Sequence, residues 1–304
     1  MWMEGIPAAN ATQGLLYFQR VTIEAMYKQV QTALTARMAN SSDYGLEVSD
    51  YLNIYCLGTR ETSVGSQGVG EPINEDEKVL VKTRRHQIYI HSKMMIVDDD
   101  VVQIGTANIN QRSMDGCRDS EIMMTSWQPD HLATSESIAK SDIHAYRMHI
   151  WASITGEMHE AFRDPSSSEC VKVMNAIAER NWQKYIGEET VDMTSHLLPF
   201  PLEFSGGKVH PRKGLVDGNF PDTKASVLGE KSTLLPELLL TWSSLEVGEK
   251  SMWLRELLLT HILWRSICVY HLIVMFKKKN GIMIILVRST AYSYRAFSWF
   301  NRAA

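Results

Sequence analysis

The chain has 304 residues, 44% of them hydrophobic and 22% charged, a balance that excludes collagen-like, coiled-coil and fully disordered proteins. Lys and Arg number 31 against 35 Asp and Glu, so the net charge is -4 and a general nucleic-acid-binding protein is excluded. The four cysteines lie far apart without a CxxC pair, which disfavours a zinc site and a disulfide framework. No basic segment followed by an apolar run opens the sequence, so we expect no secretory signal and an intracellular protein.

The first predicted element is an amphipathic helix over residues 11–38. Apolar residues recur there at three- and four-residue spacing, which predicts one buried face. These residues are Leu16, Ile23, Met26, Tyr27, Val30 and Leu34. An apolar, β-branched run at 51–57 predicts a buried strand. The Gly-rich and acidic residues 58–78 predict a solvated surface loop.

The next segment predicts antiparallel strands. The β-rich run HQIYIHSKMMIV (86–97), the turn DDD (98–100) and the run VVQIG (101–105) together predict a β-hairpin, and SEIMMTSW (120–127) predicts a further strand. Helices are predicted over 141–154 and 167–185, the second with a start signal at Asp164-Pro165-Ser166.

Residues 242–304 are far more apolar than the rest of the chain. The window 257–276 has the length of a membrane span and is followed by three lysines. However, Arg265 lies in its middle, where an arginine costs about 2.5–3.5 kcal/mol. Three interpretations stay open: a membrane-associated segment, a buried or poorly folding tail, and a misread exon boundary.

A candidate phosphate site centres on His91 and Lys93, in the pattern HxKxxxxD that ends at Asp98. Residues i and i+2 of a strand share a face, so the two side chains are expected side by side, with apolar neighbours packed behind them. These neighbours are Ile90, Met94 and Ile96. An imidazole beside an ammonium group forms a cationic spot that suits a phosphate.

Two further segments supply suitable polar groups. The turn at 105–108 offers a hydroxyl and an amide, which are neutral donors for phosphoryl oxygens. A carboxylate within 118–121 can accept the Nδ1 proton of His91 and fix its tautomer. The plainer alternative is that His91 is structural, that HxK occurs by chance and that DDD is only a turn.

The same residues carry a resemblance to a known family. HSKMMIVDD (91–99) and IGTANINQRSMDGCRDSEI (104–122) resemble the second HKD motif of the phospholipase D superfamily, with the plant C2-containing alpha type as the nearest likeness. Other segments also resemble that family: MWMEGIPAANATQGLLYFQ, DYLNIYCLGTRE, WQPDHL, HAYRMHIW, DPSSSEC and FPDTKASVLG. The resemblance runs from the first residue to about residue 240.

The resemblance implies an α/β fold: one phospholipase D-type lobe, a mixed β-sheet flanked by helices, with an atypical apolar C-terminal tail. It also implies three regions. Residues 1–135 would be the second catalytic lobe with its motif at about 86–113, residues 136–240 the C-terminal region of the family, and residues 241–304 the tail.

The resemblance further implies the roles of individual residues. These are His91 as acid and base, Lys93 as phosphate ligand, Asp98 as structural partner, Thr106 and Asn108 as phosphate contacts, and Glu121 as the carboxylate that orients the histidine. The implied reaction cleaves phosphatidylcholine and related phospholipids to phosphatidate and a free head group through a phosphohistidine, and a primary alcohol can replace water.

The resemblance also sets expectations about cofactors and location. It implies no cofactor and no metal for the chemistry, whereas calcium acts in the family mainly through a C2 domain, which this sequence lacks. The implied partner is a phospholipid membrane surface and not a nucleic acid, and the implied location is cytoplasmic with peripheral membrane association.

The sequence contains one HxKxxxxD pattern and no second, whereas two such motifs meet at one site in this family. Three hypotheses follow. The chain is half of a phospholipase D, weak or inactive alone; or it is a phosphodiesterase that restores two motifs as a homodimer; or it is a non-catalytic protein that binds membranes or a second HKD-bearing lobe.

Overall fold

A large β-sheet carries the candidate site. The computed structural model describes residues 8–40, 45–62, 72, 75–108, 113, 119–128, 141–231, 272–278 and 281–287. The strands are β1 (Leu52–Arg60), β2 (Arg85–Ile88), β3 (Lys93–Val97), β4 (Val101–Gly105), β5 (Met123–Trp127), β6 (Leu197–Pro199), β7 (Leu202–Ser205), β8 (Lys208–Pro211), β9 (Leu272–Lys278) and β10 (Gly281–Val287). The α-helices are α1 (Asn10–Asn40), α2 (Glu75–Thr83), α3 (Asp142–Thr155) and α4 (Ser168–Ile186).

The strand order of the large sheet is β2-β1-β9-β10-β3-β4-β5, with β6 also paired to β1 and with β7 and β8 forming a separate hairpin. Every strand pair among the described residues is antiparallel, which refines the expected mixed sheet. The predicted α/β class, a sheet flanked by helices, is confirmed.

Two apolar clusters cover the two faces of the sheet. On one face, α1 contributes Leu16 and Ile23, which pack with Leu52 and Ile54 of β1. On the other face, buried side chains of β1, β3 and β4 pack against α3 and α4. These side chains are Tyr55, Met94, Ile96 and Val102 from the sheet and Ile143, Trp151, Met174 and Ile177 from the helices.

The three long predicted helices are confirmed. Helix α1 buries Leu16, Ile23 and Leu34 and leaves the other members of the predicted stripe half-buried. Helix α4 begins one residue after Ser167, whose hydroxyl accepts a hydrogen bond from the backbone N–H of Cys170 at 3.1 Å. The N-cap is therefore Ser167, the middle serine of the run, and not the predicted Asp164-Pro165-Ser166 signal.

The loop predicted over 58–78 is wrong at both ends. Strand β1 continues through Arg60, and α2 begins at Glu75. The strand continues because Gly58 and Arg60 pair with β2, a partner that lies outside the local sequence. Most residues between these two ends lie outside the described part of the chain.

The single β-rich run predicted over 86–97 is also wrong. Arg85–Ile88 pairs with β1, whereas Lys93–Val97 pairs with β4 and β10, so the run divides into two strands on either side of the sheet centre. Residues 89–92 connect them, and Ile90 is buried there. The predicted hairpin between β3 and β4 and the predicted strand β5 are confirmed.

The C-terminal tail contributes the two central strands. Strand β9 pairs with β1 and strand β10 pairs with β3, so the hairpin between them joins the two halves of the sheet. Leu272–Phe276, the end of the predicted membrane window, is therefore in a sheet, and residues 257–271 lie outside the described residues. Among the helices that are described, none combines the length and apolarity needed to cross a bilayer.

Candidate active site

His91 and Lys93 lie side by side at the exposed start of β3. The Lys93 Nζ atom lies 3.2 Å from His91 Nδ1 and donates a hydrogen bond to the His91 carbonyl oxygen at 2.6 Å. His91 is exposed and Lys93 is half-buried. The predicted neighbours Ile90, Met94 and Ile96 are buried in one apolar cluster. The pair is therefore held by a core and open to solvent.

His91 does not lie on the strand itself, contrary to the sequence-based expectation. Strand β3 begins at Lys93, and His91 belongs to the connection that arrives from β2. The ring of Tyr89 lies 5.9 Å from the ring of His91 in a tilted arrangement. The lysine side chain reaches back along the connection, and this contact brings the two groups together without shared strand geometry.

The contact also sets the tautomer of His91. An ammonium group only donates hydrogen bonds, so a neutral imidazole that faces Lys93 through Nδ1 carries its proton on Nε2.

The turn between β3 and β4 contains Asp98, Asp99 and Asp100. Asp98 and Asp99 adopt left-handed backbone angles, with φ of 54° and 57°. Asp residues tolerate this region because their short side chains can bond locally. Asp98 lies in this turn and is half-buried, at the far end of β3 from His91 and Lys93. Its predicted structural role stays a prediction.

Thr106 and Asn108 follow the end of β4, which pairs with the start of β3. The Thr106 backbone N–H donates to the Ile122 carbonyl at 2.9 Å, and the Thr106 hydroxyl oxygen accepts the Ile122 N–H at 3.0 Å. Gly105 permits this close approach, because a Cβ there would lie 2.8 Å from the Met123 Cα. Asn108 is half-buried two residues further on. The predicted phosphate contacts of both residues stay predictions.

Glu121 accepts a hydrogen bond from the hydroxyl of Ser113. Ser113 is fully buried and was not among the residues predicted from the sequence. The hydroxyl fixes the Glu121 carboxylate, while the Nδ1 atom of His91 faces Lys93. The predicted role of Glu121 in orienting His91 stays a prediction.

A buried ionic cluster behind the turn was missed by the sequence analysis. Asp99 accepts two hydrogen bonds from Arg147 of α3, each at 2.7 Å, and its carboxylate lies 2.9 Å from His144 Nδ1. Arg147 also donates to the Phe162 carbonyl at 2.8 Å and lies over the Trp151 ring. This cluster, Asp99–Arg147–His144, fastens the hairpin turn to α3. The sequence contains Asp99 in DDD and Arg147 in HAYR, but their pairing spans 48 positions.

The cluster keeps Asp99 ionised. Burial alone would raise the pKa of Asp99, but hydrogen bonds from His144 and Arg147 and the positive charge of Arg147 outweigh it and hold the pKa below its ordinary value. Arg147 is completely buried and Asp99 is 4% exposed, so solvent and salt weaken the attraction between their charges very little.

Within the described part of the chain, no three His, Cys, Asp or Glu side chains are grouped so as to hold a metal ion. Cys56 and Cys170 are buried free thiols. Burial raises the pKa of Cys170 to about 12, so it is protonated at neutral pH.

Comparison with known proteins identifies the family. The sequence model of the family described as phospholipase D matches residues 1–229, which is most of the chain. The chain belongs to the phospholipase D family. The matched residues include the His91–Lys93 pair, the β3–β4 hairpin and the buried Asp99–Arg147–His144 cluster.

Three curated plant relatives show the extent of the likeness. Phospholipase D alpha 1 of Zea mays is 43% identical over 250 residues, which cover 79% of this chain and 29% of the relative. Phospholipase D alpha 1 of Nicotiana tabacum is 44% identical, covering 79% of this chain and 30% of the relative. Phospholipase D beta 1 of Arabidopsis thaliana is 41% identical over 235 residues, which cover 75% of this chain and 21% of the relative. The chain spans less than a third of the length of these relatives.

Proposed function

We propose that this chain provides one half of a phospholipase D active site, with His91 as its acid and base and Lys93 as its phosphate ligand. The observation that carries the proposal is the contact between Lys93 Nζ and His91 Nδ1, 3.2 Å apart on an exposed end of β3. The proposed substrates are phosphatidylcholine and related phospholipids, and the products are phosphatidate and a free head group.

The resting contact suggests how substrate binding prepares His91. A phosphodiester attracts Lys93 to a phosphoryl oxygen, which removes the ammonium group from Nδ1 and allows His91 to become an imidazolium. Glu121 is the proposed acceptor for the Nδ1 proton, and Thr106 and Asn108 are the proposed neutral donors to the phosphate. Asp98 is proposed to support the hairpin turn.

The reaction then proceeds in two displacements. A histidine of the second HKD motif attacks phosphorus, the bond from phosphorus to the head-group oxygen breaks, and the Nε2 proton of His91 passes to that oxygen. In the second step His91 accepts a proton from water, the water oxygen attacks phosphorus and the phosphorus–nitrogen bond breaks. A primary alcohol in place of water gives a new phosphodiester.

The second motif must come from another lobe. The face of β3–β5 that carries Lys93 also carries Met123, 38% exposed, and Trp127, 62% exposed. Met123 is level with Lys93, two strands away, whereas Trp127 lies at the turn end of the same face, and open apolar side chains along this face favour a lobe that packs on it. The greater length of the relatives favours an N-terminal HKD-bearing lobe as the partner. A homodimer that brings two His91 side chains to one phosphate is the alternative.

We further propose cytoplasmic, peripheral association with a phospholipid membrane. The chemistry assigned to His91 and Lys93 uses a proton donor and a fixed positive charge and calls for no metal. Head-group release should therefore persist in EDTA once both motifs are present, and a complete loss in EDTA contradicts this part of the proposal.

The decisive experiment is a head-group release assay on phosphatidylcholine vesicles. The purified chain is assayed alone and mixed with a separately expressed N-terminal half of a plant relative. We expect weak or no release alone and clear release from the mixture. The mass of the active species distinguishes an N-terminal lobe from a second copy of this chain as the partner. Activity that is confined to a homodimer supports the second copy.

Two substitutions test the assignments within that assay. His91→Asn should reduce release by at least about a hundredfold, the scale of acid–base catalysis. Lys93→Ala should weaken both turnover and competition by inorganic phosphate. His86→Asn and Lys82→Ala are the matched controls, since both side chains are exposed, His86 lies on β2, four strands from β3 in the sheet, and Lys82 lies on α2. Release that survives His91→Asn contradicts the mechanism.

A further inference from the structure

The outer edge of β5 is an uncharged, apolar strand edge. Among the described strands, β5 lies at one end of the large sheet. Residues 122–127, IMMTSW, contain no charged side chain, and Ile122 is 74% exposed, Met124 67% and Trp127 62%. Natural edge strands usually carry lysine, proline or a bulge that prevents pairing with another chain. The described β5 has none of these features, so its edge is suited to pairing.

Two hydrogen bonds define which backbone groups face outward. The Ile122 carbonyl accepts from Thr106, and the Gln128 N–H donates to Asp100, so these even-numbered positions face β4. Backbone groups alternate in direction along a strand, and Met123, Thr125 and Trp127 therefore present their N–H and C=O groups at the outer edge. Within the described residues, no strand pairs with this side.

We propose that β5 pairs antiparallel with β5 of a second copy of this chain, around a twofold axis at Thr125. In this arrangement Thr125 lies opposite its own copy, and Met123 lies opposite the partner's Trp127. The three outward residues of each strand can then form roughly six backbone hydrogen bonds across the axis.

The edge is complementary to itself, which favours a second copy over other partners. A twofold axis places each residue opposite its symmetry mate, so any charge near the axis would meet a like charge. No charge lies within residues 122–127, and the threonine on the axis forms a favourable Thr–Thr pair. The exposed Met and Trp side chains cover each other on the face that carries Lys93.

This dimer differs from one that shares a catalytic site. Five inter-strand steps separate the two copies of β3, which places these strands roughly 24 Å apart at about 4.8 Å per step, and the two Lys93 residues are further apart still because they are also displaced along the strands. A phosphate group cannot bridge that distance. Both His91–Lys93 pairs would face the same side of one continuous sheet and act separately, so the inference does not depend on the proposed function.

The test uses charges placed on the axis. The full chain, Thr125→Lys and Thr125→Glu are compared by sedimentation velocity over a concentration series. The unmodified chain should dimerise, and each variant alone should have a dimer dissociation constant at least about tenfold higher because like charges meet. An equimolar mixture of the two variants should dimerise again. Thr125→Val should stay dimeric, and Val216→Lys, at a 78% exposed apolar position elsewhere, should not alter dimerisation.

Each contrary outcome overturns the inference. It fails if the unmodified chain is monomeric throughout the series, if Thr125→Lys dimerises normally, or if the mixture of Lys and Glu variants stays monomeric. Thermal unfolding by circular dichroism shows whether each variant is folded. A monomer that instead floats with phosphatidylcholine vesicles, and does so less after Trp127→Ala, assigns this edge to lipid and also overturns self-pairing.

Discussion

The two halves of the sheet differ in how they are covered. Strand β1 is buried along almost its whole length, because apolar clusters cover both of its faces, one with residues of α1 and α4 and the other with residues of α3 and α4. On β3 and β4, α3 covers the face of Met94, Ile96 and Val102, while the face that carries Lys93 stays partly open. Strand β5 is exposed on both faces, at Met124 and at Trp127. The candidate catalytic pair lies in the open half, and the buried contacts that hold it lie on the opposite face. We therefore expect substitutions on the covered face to change the stability of the fold, and substitutions at His91 or Lys93 to change the proposed chemistry.

The largest effect is expected from the buried ionic cluster. Arg147→Met leaves Asp99 ionised and buried with only His144 beside it, and removal of one partner from a buried pair costs about 3–5 kcal/mol. Urea unfolding measures this loss. The double variant Asp99→Asn/Arg147→Met should recover part of it, because no buried charge remains. A double variant that is less stable than Arg147→Met alone contradicts the role assigned to the ion pair.

Adjacent positions on β3 compare the two faces directly. Ile96 is 1% exposed on the covered face, and Met95 is half-buried on the face of Lys93. Ile96→Ala should lower the free energy of unfolding by about 2–5 kcal/mol because it leaves a cavity. Met95→Ala should lower it by less than about 1 kcal/mol. Equal losses in urea unfolding would show that the two faces are covered alike.

Acid should weaken the covered face through Asp99. Its folded-state pKa lies below the ordinary value, so its stabilisation is complete above the unfolded-state pKa of about 3.9 and is lost as the pH falls through the folded-state pKa. Melting temperatures between neutral and strongly acid pH measure this effect. The unmodified chain should lose more stability below about pH 4 than Asp99→Asn does. If the melting temperatures of the two proteins change in parallel with pH, Asp99 does not contribute to the loss of stability in acid.

The smallest effect on stability is expected at the proposed catalytic histidine. His91 is exposed and lies before β3, so His91→Asn should change the free energy of unfolding by no more than about 0.5 kcal/mol. The same variant is expected to lose head-group release. A large loss of stability would mean that His91 serves the fold, and the separation between the two faces would then not hold.

Part of the candidate site could be predicted from local sequence. His91 and Lys93 are two residues apart, so their proximity follows from their short separation along the chain, although Lys93 reaches back to His91 and does not share a strand face with it. The β3–β4 hairpin follows from DDD between two β-rich runs. The strand position of His91 was nevertheless wrong, because β2 pairs with β1 and the chain must leave one strand before it begins the next.

The buried cluster and the centre of the sheet could not be predicted in this way. An arginine on a helix has the same local pattern whether it faces solvent or a carboxylate 48 positions earlier. The apolar runs that form β9 and β10 fit a strand, a buried helix or a membrane segment equally well by composition. Their partners are β1 and β3, more than 170 residues away along the chain.

The sequence by itself determined the periodic helices α1, α3 and α4, the β3–β4 hairpin and the pairing of an imidazole with an ammonium group. Each of these depends on contacts between residues close in sequence, which spacing encodes directly. Only the tertiary structure decided that Asp99 meets Arg147, that the tail joins the two halves of the sheet and that β5 is the outermost of the described strands on its side. These depend on which distant segments bury each other, and many arrangements satisfy the same local pattern until the chain packs as a whole.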